Sequence, residues 1–271
     1  MNKQFFSRVL DCILTADPLL KVEKTQQCFD DLNEESLELI HEQPVHRIEL
    51  PGRPDKPELV DPRKVSKRSI KSPEGRVVLA HAVAHIEFNA INLALDAAYR
   101  FRNMPPGYYK DWMRVAKEEA EHFTLMTDYL QAHNHHYGDF SAHNGLWEMA
   151  LKTDQSVLER MALVPRVLEA RGLDVTPGMI KKLDQAGDQA FVKCLELIYR
   201  EEIGHVAIGS RWFQYSCEQE GVNPRETFID LLKEHMNNGL KGPFDEWSRL
   251  QAGFSEEEML DIKNLENGIQ N

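Results

Sequence analysis

Two short stretches combine carboxylates and imidazoles at a spacing that can do chemistry. EEAEHF contains Glu119 and His122, and REEIGHV contains Glu202 and His205. In each a Glu precedes a His by three residues, and on an α-helix that separation turns both side chains to one face. Glu87, in HIE, and Glu169, in LEARG, stand upstream of the two pairs. One Glu from each of two helices, with Glu-x-x-His from two others, is the ligand set of di-iron and di-manganese carboxylate centres in helix bundles. Carboxylates can bridge two cations and offset their charge, while each imidazole occupies one position on each ion.

Register supports this set. Glu87 lies 32 residues before Glu119, and Glu169 lies 33 before Glu202, as expected of a duplicated helix pair. Glu159 is the rival in the third helix, but it lies 43 residues from Glu202 among Lys152, Gln155 and Ser156, which suggest a solvated face. Around Glu87 the same-face residues are Ala80, Val83, Ala84, Ala90, Ile91 and Ala94; around Glu202 they are Leu195, Ile198, Tyr199, Val206 and Gly209. A carboxylate on such a face is costly unless paired or metal-bound.

Helices must carry these groups. Residues 4–33 read as two amphipathic helices split at Asp17-Pro18, and the prolines between 44 and 73 predict an extended wrap. Ser72-Pro73-Glu74 starts a long helix to about Asn103; after Met104-Pro105-Pro106-Gly107 a second covers 108–133. HNHHYGDFSAHNG is a polar connection, and 146–151 forms a short helical piece. A third long helix is predicted from a cap at Asp154 to Arg171-Gly172, kinked by Pro165, with Thr176-Pro177 opening a short separate one. The fourth runs from Asp188 to Glu220 and stops at Gly221. Another follows near 225–237, then a turn at Gly242-Pro243 and a last helix begun by a Ser255/Glu258 capping box. No segment alternates with period two, so the predicted class is all-α: a four-helix bundle core with additional N- and C-terminal helices. Its segments are an N-terminal appendage (1–43), the Pro-rich wrap (44–73), the core (74–221) and a C-terminal extension packed on it (222–271). A ferritin-like course needs a long crossover of roughly 43 Å between the second and third helices, and residues 134–153 are long enough for it; a simple antiparallel bundle fits as well.

Other groups have weaker claims. His81 and His85 share a helix with Glu87, but His85 and Glu87 point to nearly opposite sides, so a supporting or core role is expected. His133, His135, His136 and His143 offer a zinc set in the connection, although such histidines are usually solvated. Trp112, Phe123, Met126, Tyr199 and Trp212 read as core. The basic run Arg63, Lys64, Lys67, Arg68 and Lys71 reads as a solvated arm, with an anionic substrate as the alternative.

Of 271 residues, 42% are hydrophobic and 28% charged, which excludes a disordered chain; the net charge of −12 opposes nucleic acid and anionic lipid. No run of 18 apolar residues occurs, and Arg8 and Asp11 interrupt FFSRVLDCIL, so neither a membrane span nor a signal peptide is expected. The expected compartment is the cytoplasm. Cys12, Cys28, Cys194 and Cys217 form no C-x-x-C pair and are expected to be reduced core thiols.

Longer motifs carry a resemblance. PGRPDKPELVDPRKVSKRSI, EGRVVLAHAVAHIEFNAINLALDAAYRF, EEAEHF, RMALVPRVLEARGLDVTPGM, YREEIGHVAIGSRWF, KGPFDEW and AGF, over about residues 50–254, resemble the bacterial ferritin-like family catalogued as domain of unknown function 455. The resemblance implies a ferritin-like bundle with a di-iron site, and distant kinship with tRNA-modifying di-iron hydroxylases. The metal residues it implies are Glu87, Glu119, His122, Glu169, Glu202 and His205. The function expected is a non-haem di-iron oxidoreductase that activates O2 to hydroxylate or oxidise a small molecule, with two iron ions (or manganese) and an electron donor. RNA is a less favoured substrate. The alternatives are a ferroxidase or iron-handling protein, and an inactive helical scaffold.

Overall fold

A computed structural model describes residues 4–40, 44–65, 69–236 and 240–266. The chain is all-α, without a strand among the described residues, and divides into two compact units. One comprises residues 1–151 and 182–194, the other 152–181 and 195–271.

In the first unit, α1 (Phe5–Leu14) and α2 (Pro18–Asn33) form the expected amphipathic pair, with Asp17 capping α2 through Leu20 N–H (2.9 Å). Lys21 of α2 is fully buried. Its Nζ donates to the Cys12 and Ile13 carbonyls at the end of α1 (3.0 and 2.7 Å) and to Asn92 Oδ1 (2.6 Å), which ties both helices to the next.

That next helix, α3 (Pro73–Arg100), begins at the Ser72 cap and packs most extensively on α4 (Pro106–Ala132). The turn between them is tight: Asn103 has φ +63°, and the hydroxyls of Tyr108 and Tyr109 donate to the carbonyls of Ala97 (3.2 Å) and Phe101 (3.1 Å). Among the described residues α3 alone is long and apolar enough to cross a membrane, with a mean hydropathy of 1.3, but 83% of that stretch is buried inside the protein. It also carries His81, His85, Glu87 and Asp96, all buried.

The Pro-rich segment is irregular in its described residues, apart from a 3-10 turn at Pro62–Lys64, and fastened at intervals. Gly52 N–H donates to Ile13 O (2.8 Å), and a Cβ there would stand 2.3 Å from Leu14 O, so only glycine fits. Further along, Val60 N–H and Ala142 N–H exchange bonds with Ala142 O and Glu58 O, which holds the segment to the polar connection. In the basic run, Arg63 is exposed and bonded to Asp61, Lys64 and Lys71 are exposed, and Lys67 and Arg68 lie outside the described residues.

The connection is held down by the two α3 histidines. His81 Nε2 accepts from Gly138 N–H (2.9 Å), and His85 Nδ1 bonds Tyr137 Oη (2.9 Å). Tyr137 lies among His81, Phe88 and Phe123, at ring separations of 5.5, 5.5 and 5.1 Å. The connection's own histidines serve as local fasteners: His133 bonds Tyr129 O, His135 bonds Asp139, and His143 Nδ1 accepts from Gly145 N–H. Among the described residues they form no metal-holding group. Helix α5 (Gly145–Lys152) follows.

The third helix departs from expectation in three ways. Its cap is Ser156, whose Oγ accepts from Glu159 N–H (3.1 Å), while Asp154 belongs to the preceding turn that Arg160 holds through Thr153 Oγ1 (2.7 Å). Ser156→Ala is therefore expected to lower stability by ~1 kcal/mol, read as a shift in denaturation midpoint at unchanged slope; no shift would return the cap to Asp154. Second, the turn around Pro165 is π-helical: helix α6 (Val157–Leu163) passes into this turn, Val164–Glu169, and then into α7 (Ala170–Gln185). A turn bonded i to i+5 absorbs one extra residue, and so accommodates a proline that has no N–H to donate.

Third, nothing breaks at Gly172, and Pro177 lies inside α7. Tertiary bonds override these local breakers. Arg171 donates to the carbonyls of Lys241 (2.7 Å) and Pro243 (3.1 Å), and Asp174 accepts twice from Arg249 (2.8 and 2.7 Å).

Helix α8 (Gln189–Glu220) starts at Asp188, which caps Phe191 N–H (3.1 Å), and ends at Gly221 with φ +69°. In the second unit it is followed by α9 (Pro224–His235), α10 (Glu246–Gln251) and α11 (Glu256–Glu266). The expected end of α9 at 237 lies outside the described residues. The capping box of α11 is reciprocal: Glu258 N–H donates to Ser255 Oγ (3.1 Å) and Ser255 N–H to Glu258 Oε2 (2.9 Å). All four cysteines are buried free thiols, as expected.

Candidate metal centre

In the first unit, α3 and α4 bring three of the expected residues together. Glu87 is 3% exposed, and Glu119 and His122 are fully buried. His122 Nδ1 stands 3.4 Å from Glu119 Oε2 and 3.5 Å from Glu87 Oε2. One ligand atom from each of the three lies within 4.8 Å of the others, which makes a group able to hold a metal ion. The neighbours foreseen for Glu87 are all buried.

The charges are strained without a cation. Burial, and then the charge of Glu119, push the Glu87 carboxyl well above the usual carboxylate range, with His122 pulling the other way. For His122, burial alone lowers the pKa, but hydrogen bonds and charge from Glu119 and Glu87 outweigh it and raise it to about 11. Glu87 Oε2 is buried and meets His122 Nδ1 only at 3.5 Å, a long contact that leaves this oxygen poorly satisfied. The residues present fit a carboxylate-liganded divalent metal.

The second unit repeats the local geometry. His205 is fully buried on α8, and its Nδ1 lies 3.6 Å from Oε1 of Glu202, one turn earlier. Both Glu-x-x-His pairs therefore present the same imidazole nitrogen to the carboxylate three residues before it. Glu169, the sixth expected ligand, is half-buried as the last residue of the π-turn. Glu159 is half-buried too, in the first turn of α6.

Tyr199, expected in the core, is half-buried; its hydroxyl bonds Asp245 Oδ2 (2.7 Å) and Ser248 Oγ. Trp112, Phe123, Met126 and Trp212 are buried as expected. Sequence reasoning missed Arg166 and Arg249, two fully buried guanidiniums in the second unit. The only sequence signal was that Arg166 sits within a motif that carried the family resemblance, with Arg249 in the short stretch between two others.

The molecule is thus an all-helical protein with a carboxylate–histidine pair on each of two long helices, fully buried on α4 and with its carboxylate half-buried on α8. Residues 14–260 match the family described as protein of unknown function (DUF455), and the chain belongs to it. A protein of Haemophilus influenzae described as uncharacterized is 42% identical over 278 residues, covering 98% of this chain and 96% of the relative. No solved structure matches the chain.

Proposed function

We propose that this chain is a non-haem di-iron oxidoreductase on a ferritin-like bundle, in which Glu87, Glu119, His122, Glu169, Glu202 and His205 together hold two iron ions. The observation that carries the reading is the repeated Glu-x-x-His geometry, with a fully buried histidine whose Nδ1 faces the carboxylate at 3.4 Å in one pair and 3.6 Å in the other. Glu87 adds a second carboxylate to the first pair, and Glu169, 33 residues before Glu202, matches it in register. Bound iron would supply the electrons and open coordination positions for reducing O2. The chain's residues hold the ions, offset their charge and keep water from the site. The same donors accept manganese, so metal supply decides between the two.

The substrate is a small molecule oxidised with O2 and an external electron donor; a net charge of −12 disfavours RNA. Four free thiols suit the reducing cytoplasm. The test is anaerobic titration with Fe(II), followed by O2 and a chemical reductant. About two irons per chain, with O2 consumed in repeated turnovers, supports the reading. Uptake confined to one turnover with ferric product accumulating replaces it with iron handling, and failure to bind iron, manganese or zinc leaves a scaffold.

A further inference from the structure

The motifs that the metal reading leaves unused converge within the second unit on one side chain. Arg166, in the π-turn, is 1% exposed, and its Nη2 donates to Glu258 Oε1 (2.7 Å). Glu258 is the capping-box residue of α11, so one carboxylate both starts that helix and neutralises the arginine. Three rings enclose the guanidinium: its Cζ lies 4.8 Å from the Phe213 centroid, 4.1 Å from Phe228 and 4.4 Å from Phe254. Arg166 Nε and Nη1 have no hydrogen-bond partner, and the π faces take their place. Phe254 also lies 5.0 Å from Arg249, which is itself bound to Asp174 of α7. Thus AGF and the α9 and α11 helices surround one turn of the third helix.

Helix α8, which supplies Phe213, also presses on the same turn through Gly209. A Cβ at Gly209 would stand 2.3 Å from both Cβ and Cγ of Pro165, so the helix meets the proline ring closely enough to require glycine. The extra residue of a π-turn rotates every later side chain by about 100° relative to an unbroken α-helix. Glu169 is the last residue of that turn.

We propose that Arg166, paired with Glu258 and caged by Phe213, Phe228 and Phe254, is a positioning residue that holds the π-turn in place and thereby sets the direction of the Glu169 carboxylate. The role of Glu169 rests on the metal-centre reading; the clamp does not.

The test is the double variant Arg166→Met/Glu258→Met, which removes both charges together and leaves none buried alone. Hydrogen exchange and Co(II) titration are followed on it and on the unaltered chain. The amides of Val164 and residues 166–170 should exchange at least tenfold faster in the variant, while those of α4 keep their rates. The second Co(II) equivalent should weaken at least tenfold and the first should not change, a split that general loosening would not produce. Unchanged exchange at 164–170 overturns the clamp, and faster exchange with both equivalents at full affinity overturns its role toward Glu169. An unaltered chain that binds no metal sinks the metal reading instead, with the exchange result still deciding the clamp. If the double variant does not fold, Phe254→Leu, which trims the cage and keeps both ion pairs, decides by the same two readouts.

Discussion

Glu119→Ala is expected to weaken metal binding at the first half of the centre at least ~100-fold, since even residues that only support a ligand cost 10–100-fold when lost. Glu119 is fully buried and shares the His122 imidazole with Glu87. Its loss removes a donor and half of the negative charge that makes a dication welcome there. In the intact site His122 holds its proton to about pH 11 and must release it to coordinate. Affinity should therefore rise with pH, by about tenfold per unit for each proton displaced, and calorimetry in buffers of different ionisation enthalpy should register the release. Metal binding of full strength in the folded variant would remove Glu119 from the ligand set, and affinity independent of pH would refute displacement of a proton from His122.

Acid is expected to unfold this protein through His81 and His85. Burial lowers both to about 4, with the nearby charge of His85 adding to the shift of His81; for His85 the carbonyl of His143 partly opposes it. In the unfolded chain both titrate near 6.5, so below that pH the unfolded state binds more protons. The stability they support is complete above about pH 6.5 and is lost progressively as pH falls toward 4. At pH 5.5 the pair should already cost ~2–3 kcal/mol. Urea midpoints of the intact chain at pH 7.5 and 5.5 should differ accordingly. His81→Gln/His85→Gln should show a smaller difference, because an amide can still accept from Gly138 N–H but cannot charge. Asp139, whose carboxyl is held below its usual range by the His136 N–H, titrates beneath this window. Equal acid sensitivity in both chains would refute the assignment.

The halves of the centre were legible because a three-residue spacing on a helix is short-range geometry. Once Pro105-Pro106 marked the start of α4, and Asp188 and Gly221 the ends of α8, each Glu-x-x-His pair had to share a face. The apolar neighbours of Glu87 foretold its burial, and the Ser255/Glu258 box was visible because both of its bonds are local. Where sequence reasoning failed, partners far along the chain decided the outcome. Gly172 and Pro177 break helices by local preference, yet α7 continues because Arg171 and Asp174 are bound by residues some 70 positions away.

Sequence alone thus determined the all-α class, the candidate ligand pairs and most helix starts, all of which depend on residues within a turn or two. Only tertiary structure turned Pro165 into a π-turn, put Arg166 in its aromatic cage and made His81 and His85 the anchors of the connection. Each of these depends on a buried polar group finding its partner at long range, and a group taken out of water must be satisfied by whatever the fold brings to it.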